Sequence, residues 1–188
     1  MSDLPRVIDG EELGTGGFLR LKRLRWMDDK GTERRWEMVE RVKDHGAVLV
    51  FAWLRPSDRL VMIRQYRPPA GRFVYELPAG LVDAGEDGIT AARRELREET
   101  GYVAAKMEIF PPAYTTPGLT SETVYMVSAE IDEAAPENRD PETEFDPSEN
   151  IETLLVGRSD LADFYRRETA AGHAFDAKLA AYLLALPR

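Results

Sequence analysis

Between Gly80 and Tyr102 the chain reads GLVDAGEDGITAARRELREETGY, and here the spacing of apolar residues changes from that of strands to that of a helix. Upstream, GAVLVFAWL is a continuous apolar run suited to a buried strand, and RLVMIRQYRPP and RFVYELPAG read as further strands broken by Pro and Gly. From Asp87 onward, Ile89, Ala92 and Leu96 recur at helical spacing. Asp87 is placed to cap the first turn and Gly101 stands where a left-handed residue closes a helix, so the spacing predicts a helix over Gly88 to Thr100.

Composition limits what such a chain does. At 188 residues, 43% hydrophobic and 31% charged, it buries one good core and forms one domain with an appendage. No run of about 18 uncharged apolar residues is present, and the first residues, MSDLPRVIDGEEL, are acidic, so neither a membrane span nor a secretory signal is expected. A cytoplasmic protein is the expectation. With no cysteine, disulfides, thiolate nucleophiles and cysteine zinc sites are excluded, and two histidines, His45 and His173, do not build a histidine metal site. Any metal is held by oxygen. A net charge of −9 argues against nucleic acid as the main partner.

Three parts follow one another. Phe18 to Val42 alternates as FLRLKRLRW and RRWEMVERV around the turn-like DDKG, a hairpin preceding the main domain. After the helix, strands are expected at Lys106 to Tyr114 and Thr123 to Ile131. Glu133 to Asn150 is acidic and contains prolines, which reads as a long loop. A last strand, IETLLVG, leads into helices near Asp160 to Glu168 and Asp176 to Leu186.

On the helix, Glu95 is three residues from Glu98 and four from Glu99, so all three project from one side. Carboxylates that close repel unless a cation stands among them, and a hard divalent ion such as Mg²⁺ makes the same cluster a ligand set. A solvated face neutralised by Arg93, Arg94 and Arg97 is the bland alternative. The flanks bear on the choice. Gly80, Glu86, Arg94-Glu95-Leu96, Glu98-Glu99 and Gly101-Tyr102 stand at the spacing of the Nudix box, with every fixed position filled. The stretch resembles the signature of hydrolases that act on a nucleoside diphosphate linked to another moiety. Tyr102 is a soft departure, aromatic where an aliphatic residue is commoner.

The resemblance implies the Nudix fold, a mixed β-sheet sandwiched between helices (α/β/α), here with an N-terminal β-hairpin subdomain. The corresponding division is residues 1–43 as hairpin and dimerisation region and 44–188 as the Nudix hydrolase domain. It also implies a metal set of Glu95, Glu98, Glu99 and the backbone carbonyl of Ala79, holding Mg²⁺, with Mn²⁺ as a substitute. Glu86 becomes a supporting site residue, and Arg94 holds it or a neighbouring carboxylate in position.

Residues outside the box refine the branch. Pro117, in PPAYTTPGLTSE, follows Gly101 by sixteen residues, like the proline of the ADP-ribose pyrophosphatases, and RQYRPPAGRFVYELPAGLVDAGE and RRWEMVER are similar to ADP-sugar pyrophosphatases. This likeness implies Mg²⁺-dependent hydrolysis of ADP-ribose to AMP and ribose 5-phosphate. Phe18 and Trp36 fall on aromatics that sandwich the adenine, Glu37 and Arg41 on polar contacts to the base, Arg67 on a diphosphate contact, and Pro117 and Gly118 on the substrate loop. Thr116 departs from the branch, which has aspartate before the proline. The general base is expected on the loop before the last core strand, where Glu149 is the best match and Glu144 and Asp146 are alternatives. Family dimers exchange N-terminal hairpins, implying a domain-swapped homodimer, against which a monomer with the hairpin folded on its own domain stands as the alternative. Two other functions remain open: hydrolysis of another nucleoside diphosphate sugar such as GDP-mannose, and regulatory binding of ADP-ribose without catalysis.

Overall fold

The hairpin expected over Phe18 to Val42 is present and a further strand precedes it, in a computed structural model that describes residues 5–43, 45–144 and 150–186. Strands β1 (Arg6–Thr15), β2 (Leu19–Met27) and β3 (Glu33–Arg41) form an antiparallel sheet in that order. β1 escapes the periodicity because RVIDGEELGT dilutes its apolar residues with acids and glycines, and its register shifts twice against β2. Its antiparallel ladder with β2 holds it, and exposed charge pairs lie across the sheet: Arg25 reaches Asp9 and Glu33, and Arg23 reaches Glu11 and Glu37. DDKG makes the expected turn, with the Asp28 carboxylate accepting from the Lys30 and Thr32 N–H groups at 2.9 and 2.8 Å and Gly31 at φ 76°.

The chain divides into two compact units, residues 1–46 with 112–124 and residues 47–111 with 125–188. Beyond the first sheet the elements are β4 (Ala47–Arg55), β5 (Arg59–Arg67), β6 (Arg72–Glu76), β7 (Ala79–Leu81), α1 (Gly88–Thr100), β8 (Lys106–Ile109), β9 (Ala113–Tyr114), β10 (Thr123–Asp132), β11 (Ile151–Gly157), α2 (Leu161–Ala170), β12 (Ala174–Phe175) and α3 (Ala177–Leu184). The expected strand from Lys106 to Tyr114 is therefore two, because Pro111 and Pro112 offer no N–H to a ladder. In the second unit the strands run β12-β6-β5-β4-β10-β8, with β11 also on β5 and β7 also on β4. β12 lies parallel to β6 while β5 pairs antiparallel with β4, β6 and β11, so the sheet is mixed.

β4 explains the layering. Its side chains alternate, and both faces are apolar because both are covered. Val48, Val50, Ala52 and Leu54 pack with Ala91, Ala92 and Leu96 of α1 in the main core. On the opposite face Phe51 meets Tyr182 of α3 edge-on at 5.2 Å. Helices therefore flank the sheet, as the α/β/α expectation required.

α1 has its expected bounds for the expected reasons. The Asp87 carboxylate accepts from Thr90 N–H at 2.8 Å, and Gly101, at φ 74°, donates to the Arg97 carbonyl. The acidic loop that follows β10 is anchored at its start. Asn138, buried, uses its carboxamide like a strand edge, accepting from Val103 N–H and donating to the carbonyls of Val103 and Asp132. Removing the cap, Asp87→Ala, is expected to cost about 1 kcal/mol, visible as an earlier urea midpoint, and Asp87→Ser should recover most of it.

Candidate active site

The turn from β6 into β7 brings backbone up to α1, and the carboxylates of the helix meet it there. Glu99, 6% exposed, accepts the Ala79 N–H at 3.0 Å. Beside it, Gly80 leaves room that no other residue would: a Cβ there would lie 1.9 Å from Cδ of Glu95. This glycine is a matter of close approach rather than of dihedral freedom.

Arg94 organises the remaining acids. Its Nε and Nη2 donate to the two oxygens of Glu86 at 3.2 and 3.0 Å, and its Nη1 donates to Glu95 at 2.7 Å and Glu98 at 3.2 Å. A further bond from Nη2 reaches the Leu81 carbonyl at 2.9 Å, fixing the guanidinium plane. Arg94 holds the Glu86 carboxyl below the usual range, against the opposing effect of burial and helped by the Asp83 N–H. The guanidinium is itself raised, chiefly by Glu86. The i,i+4 pairing of the bland alternative is thus present in Arg94 and Glu98, inside a larger cluster.

On the sheet, Arg67 at the end of β5 grips Glu76 with a fork, Nε and Nη2 at 2.6 and 2.7 Å. Its guanidinium is pushed up mainly by Glu76, with Glu99 contributing through space, so the pair stands within electrostatic reach of the α1 acids. Gln65, on the same face of β5, is buried, and its carboxamide oxygen has no partner among the described residues. The Thr153 hydroxyl of β11 donates to the Glu99 carbonyl at 3.3 Å.

Of the three candidate bases, Glu149 and Asp146 lie outside the described residues. Glu144 is tied to α1: its N–H donates to the Glu98 carbonyl at 2.8 Å and its carboxylate accepts from Arg97 at 2.8 Å.

The expected base-binding residues fall in the other unit. Trp36, half exposed, donates its indole N–H to the Gly118 carbonyl at 3.0 Å. Trp36 and Pro117 line a largely apolar cleft of about 360 Å³ with Pro5, Arg6, Val7, Leu24 and Trp26. Glu37 points to the opposite face of the sheet, where it pairs with Arg23. Arg41 is bound to Glu122. Phe18, 84% exposed, does not line the cleft.

Among the described residues no three carboxylates or imidazoles are arranged to hold an ion as they stand. The donors nevertheless fit a hard divalent cation. All are oxygens, Glu95 and Glu99 lie against the bare backbone of Ala79 and Gly80, and Arg94 already shows that the cluster gathers positive charge.

A family model described as the NUDIX domain matches residues 43–173. This chain belongs to the Nudix hydrolase family. Over 190 residues it is 40% identical to an uncharacterised Nudix hydrolase of Schizosaccharomyces pombe, covering 97% of this chain and 93% of that one. It is 33% identical over 171 residues to the ADP-ribose pyrophosphatase of Saccharomyces cerevisiae, covering 86% and 74%. A crystal structure of an ADP compounds hydrolase shares the fold with a TM-score of 0.69 at 19% identity, covering 96% of this chain and 90% of that one. Nudix hydrolases generally require a divalent metal.

Reading the Nudix box in the sequence locates the acids of α1 but not what they meet. Glu76, Gln65 and Thr153 come from three different strands and enter the site through register. No spacing rule in one segment reports such neighbours, although Glu76 as an acid within the apolar RFVYELPAG was the available signal. Gly80→Ala is expected to push the Glu95 carboxylate aside, weakening Mn²⁺ affinity about 10- to 100-fold in calorimetry while the thermal midpoint moves little. Unchanged affinity would show that the close approach at Gly80 is not part of a metal site.

Proposed function

We propose that this Nudix hydrolase cleaves the pyrophosphate bond of ADP-ribose and related ADP-sugars, giving AMP and the sugar phosphate, ribose 5-phosphate in the case of ADP-ribose, with Mg²⁺ as its ion and Mn²⁺ as a substitute. The observation that carries the reading is the seating of Glu95 and Glu99 against the backbone of Ala79 and Gly80 beside Glu98, all-oxygen chemistry suited to a divalent ion. The relative named ADP-ribose pyrophosphatase supports the choice of substrate, as does the exposed indole of Trp36 in an apolar cleft.

Glu95, Glu98, Glu99 and the Ala79 carbonyl would hold the ion. When bound, divalent ions neutralise diphosphate oxygens and lower the pKa of an attacking water. The chain's own residues do the rest. Arg94 keeps Glu86, Glu95 and Glu98 from spreading apart, and Glu86 in turn holds the guanidinium by a two-point contact. Arg67 offers its guanidinium to the diphosphate. Trp36 stacks on the adenine, with Arg41, Pro117 and Gly118 around the base and ribose and Phe18 supplied by the partner of a domain-swapped homodimer; Glu37, turned to the other face of the sheet, is not among these contacts. Glu149 takes the proton of the attacking water, with Glu144 and Asp146 as the alternatives on the same loop. The N-terminal region 1–43, with β1 beside its hairpin, would serve dimerisation, and 44–188 would be the hydrolase domain. The setting is cytoplasmic, with neither nucleic acid nor membrane as partner.

Assay of ADP-ribose, other ADP-sugars and GDP-mannose with coupled phosphate detection tests the substrate. Activity is expected to vanish with EDTA and return with Mg²⁺ or Mn²⁺; full turnover in chelator would sink the mechanism. Glu99→Gln should lower kcat by about 100-fold or more. Trp36→Ala should mainly raise KM, and the reverse pattern in these two variants would exchange the sites of chemistry and recognition.

A further inference from the structure

Glu76 is a carboxylate that closes the run Phe73, Val74, Tyr75 at the end of β6, 9% exposed and opposite Ile63 on β5. Removing such a charge from water costs several kcal/mol, on the order of what a well-packed apolar residue of similar volume avoids. Stability alone gives no reason for a carboxylate there. Its two oxygens accept from Nε and Nη2 of Arg67, at 2.6 and 2.7 Å. Two parallel bonds along one edge lock the guanidinium plane, and Nη1, on the outer edge, makes no hydrogen bond with a described residue. The Arg67 side chain is 41% exposed where that of Glu76 is 12%, so the pair has a buried anchor and an outward-facing donor. Glu99 acts on the Arg67 guanidinium through space, and Leu77 and Pro78 are all that separate Glu76 from the Ala79 N–H that binds Glu99.

We infer that Glu76 is a positioning residue for hydrolysis: by fixing Arg67 it aims the free edge of the guanidinium at the diphosphate beside the acids of α1. The inference rests on the proposed function and deepens it. A free arginine on a flexible stem also attracts a diphosphate, but spends binding energy on ordering itself as charge develops. A locked one is already oriented at that moment.

A double-mutant cycle with Glu76→Gln, Arg67→Gln and both tests this. Each single change is expected to lower kcat for ADP-ribose by about 10- to 100-fold with KM within about threefold, and the double variant should be no slower than Arg67→Gln alone. Equal losses from Glu76→Gln in both backgrounds would make Glu76 a structural residue and overturn the inference. So would normal turnover in Glu76→Gln. If far-ultraviolet circular dichroism shows Glu76→Gln unfolded, Glu76→Asp, which keeps the charge on a shorter arm, runs through the same cycle with the same criteria. If the wild type hydrolyses no nucleoside diphosphate sugar, the proposed function fails by itself. The cycle is then read by calorimetry with Mg²⁺ and inorganic pyrophosphate: an effect of Glu76→Gln that disappears without Arg67 upholds the coupling, and an independent effect overturns it.

Discussion

Arg94 reaches Glu86, Glu95 and Glu98 at once and ties the group to the Leu81 carbonyl. Without that cation, acids three and four residues apart on one helix would repel and lean away from each other. With it, they stay gathered over the turn from β6 to β7, and the rest of the candidate site is arranged around the place where they gather. Gly80 admits the Glu95 carboxylate, Ala79 meets Glu99, and Arg67 stands close enough to feel Glu99.

The two arginines do different work by the same chemistry. Arg94 is surrounded by carboxylates and acts inward, setting the shape of the acid cluster. Arg67 has one carboxylate beneath it and acts outward, keeping an edge for a ligand. In both cases the planar guanidinium adds direction to its charge, because the two-point contacts to Glu86 and to Glu76 fix orientation as well as distance. Glu144 extends this pattern to the following loop, whose backbone and side chain are both fastened to α1.

The core that carries the site is built on β4. Because its two faces are both apolar, α1 and α3 each find a surface, and the helix bearing the acids is pressed onto the sheet by Ala91, Ala92 and Leu96. Small residues at two of those positions let the helix lie close to the strands. That closeness puts Glu99 within hydrogen-bonding distance of Ala79.

The sequence by itself determined whatever depends on neighbours along the chain. The bounds of α1 follow from Asp87 and Gly101, the clustering of Glu95, Glu98 and Glu99 from helical spacing, and the family from the motif they complete. It missed β1, which pairs with β2 without an alternating apolar face, and misjudged the strand expected through Pro111 and Pro112. Only the tertiary structure decided which acids Arg94 would gather, that Gly80 must be bare to admit Glu95, and that Glu76 would anchor Arg67. These contacts join residues on different elements, and their partners are set by strand register and by the packing of α1 on the sheet. Neither is written in the spacing of any single segment.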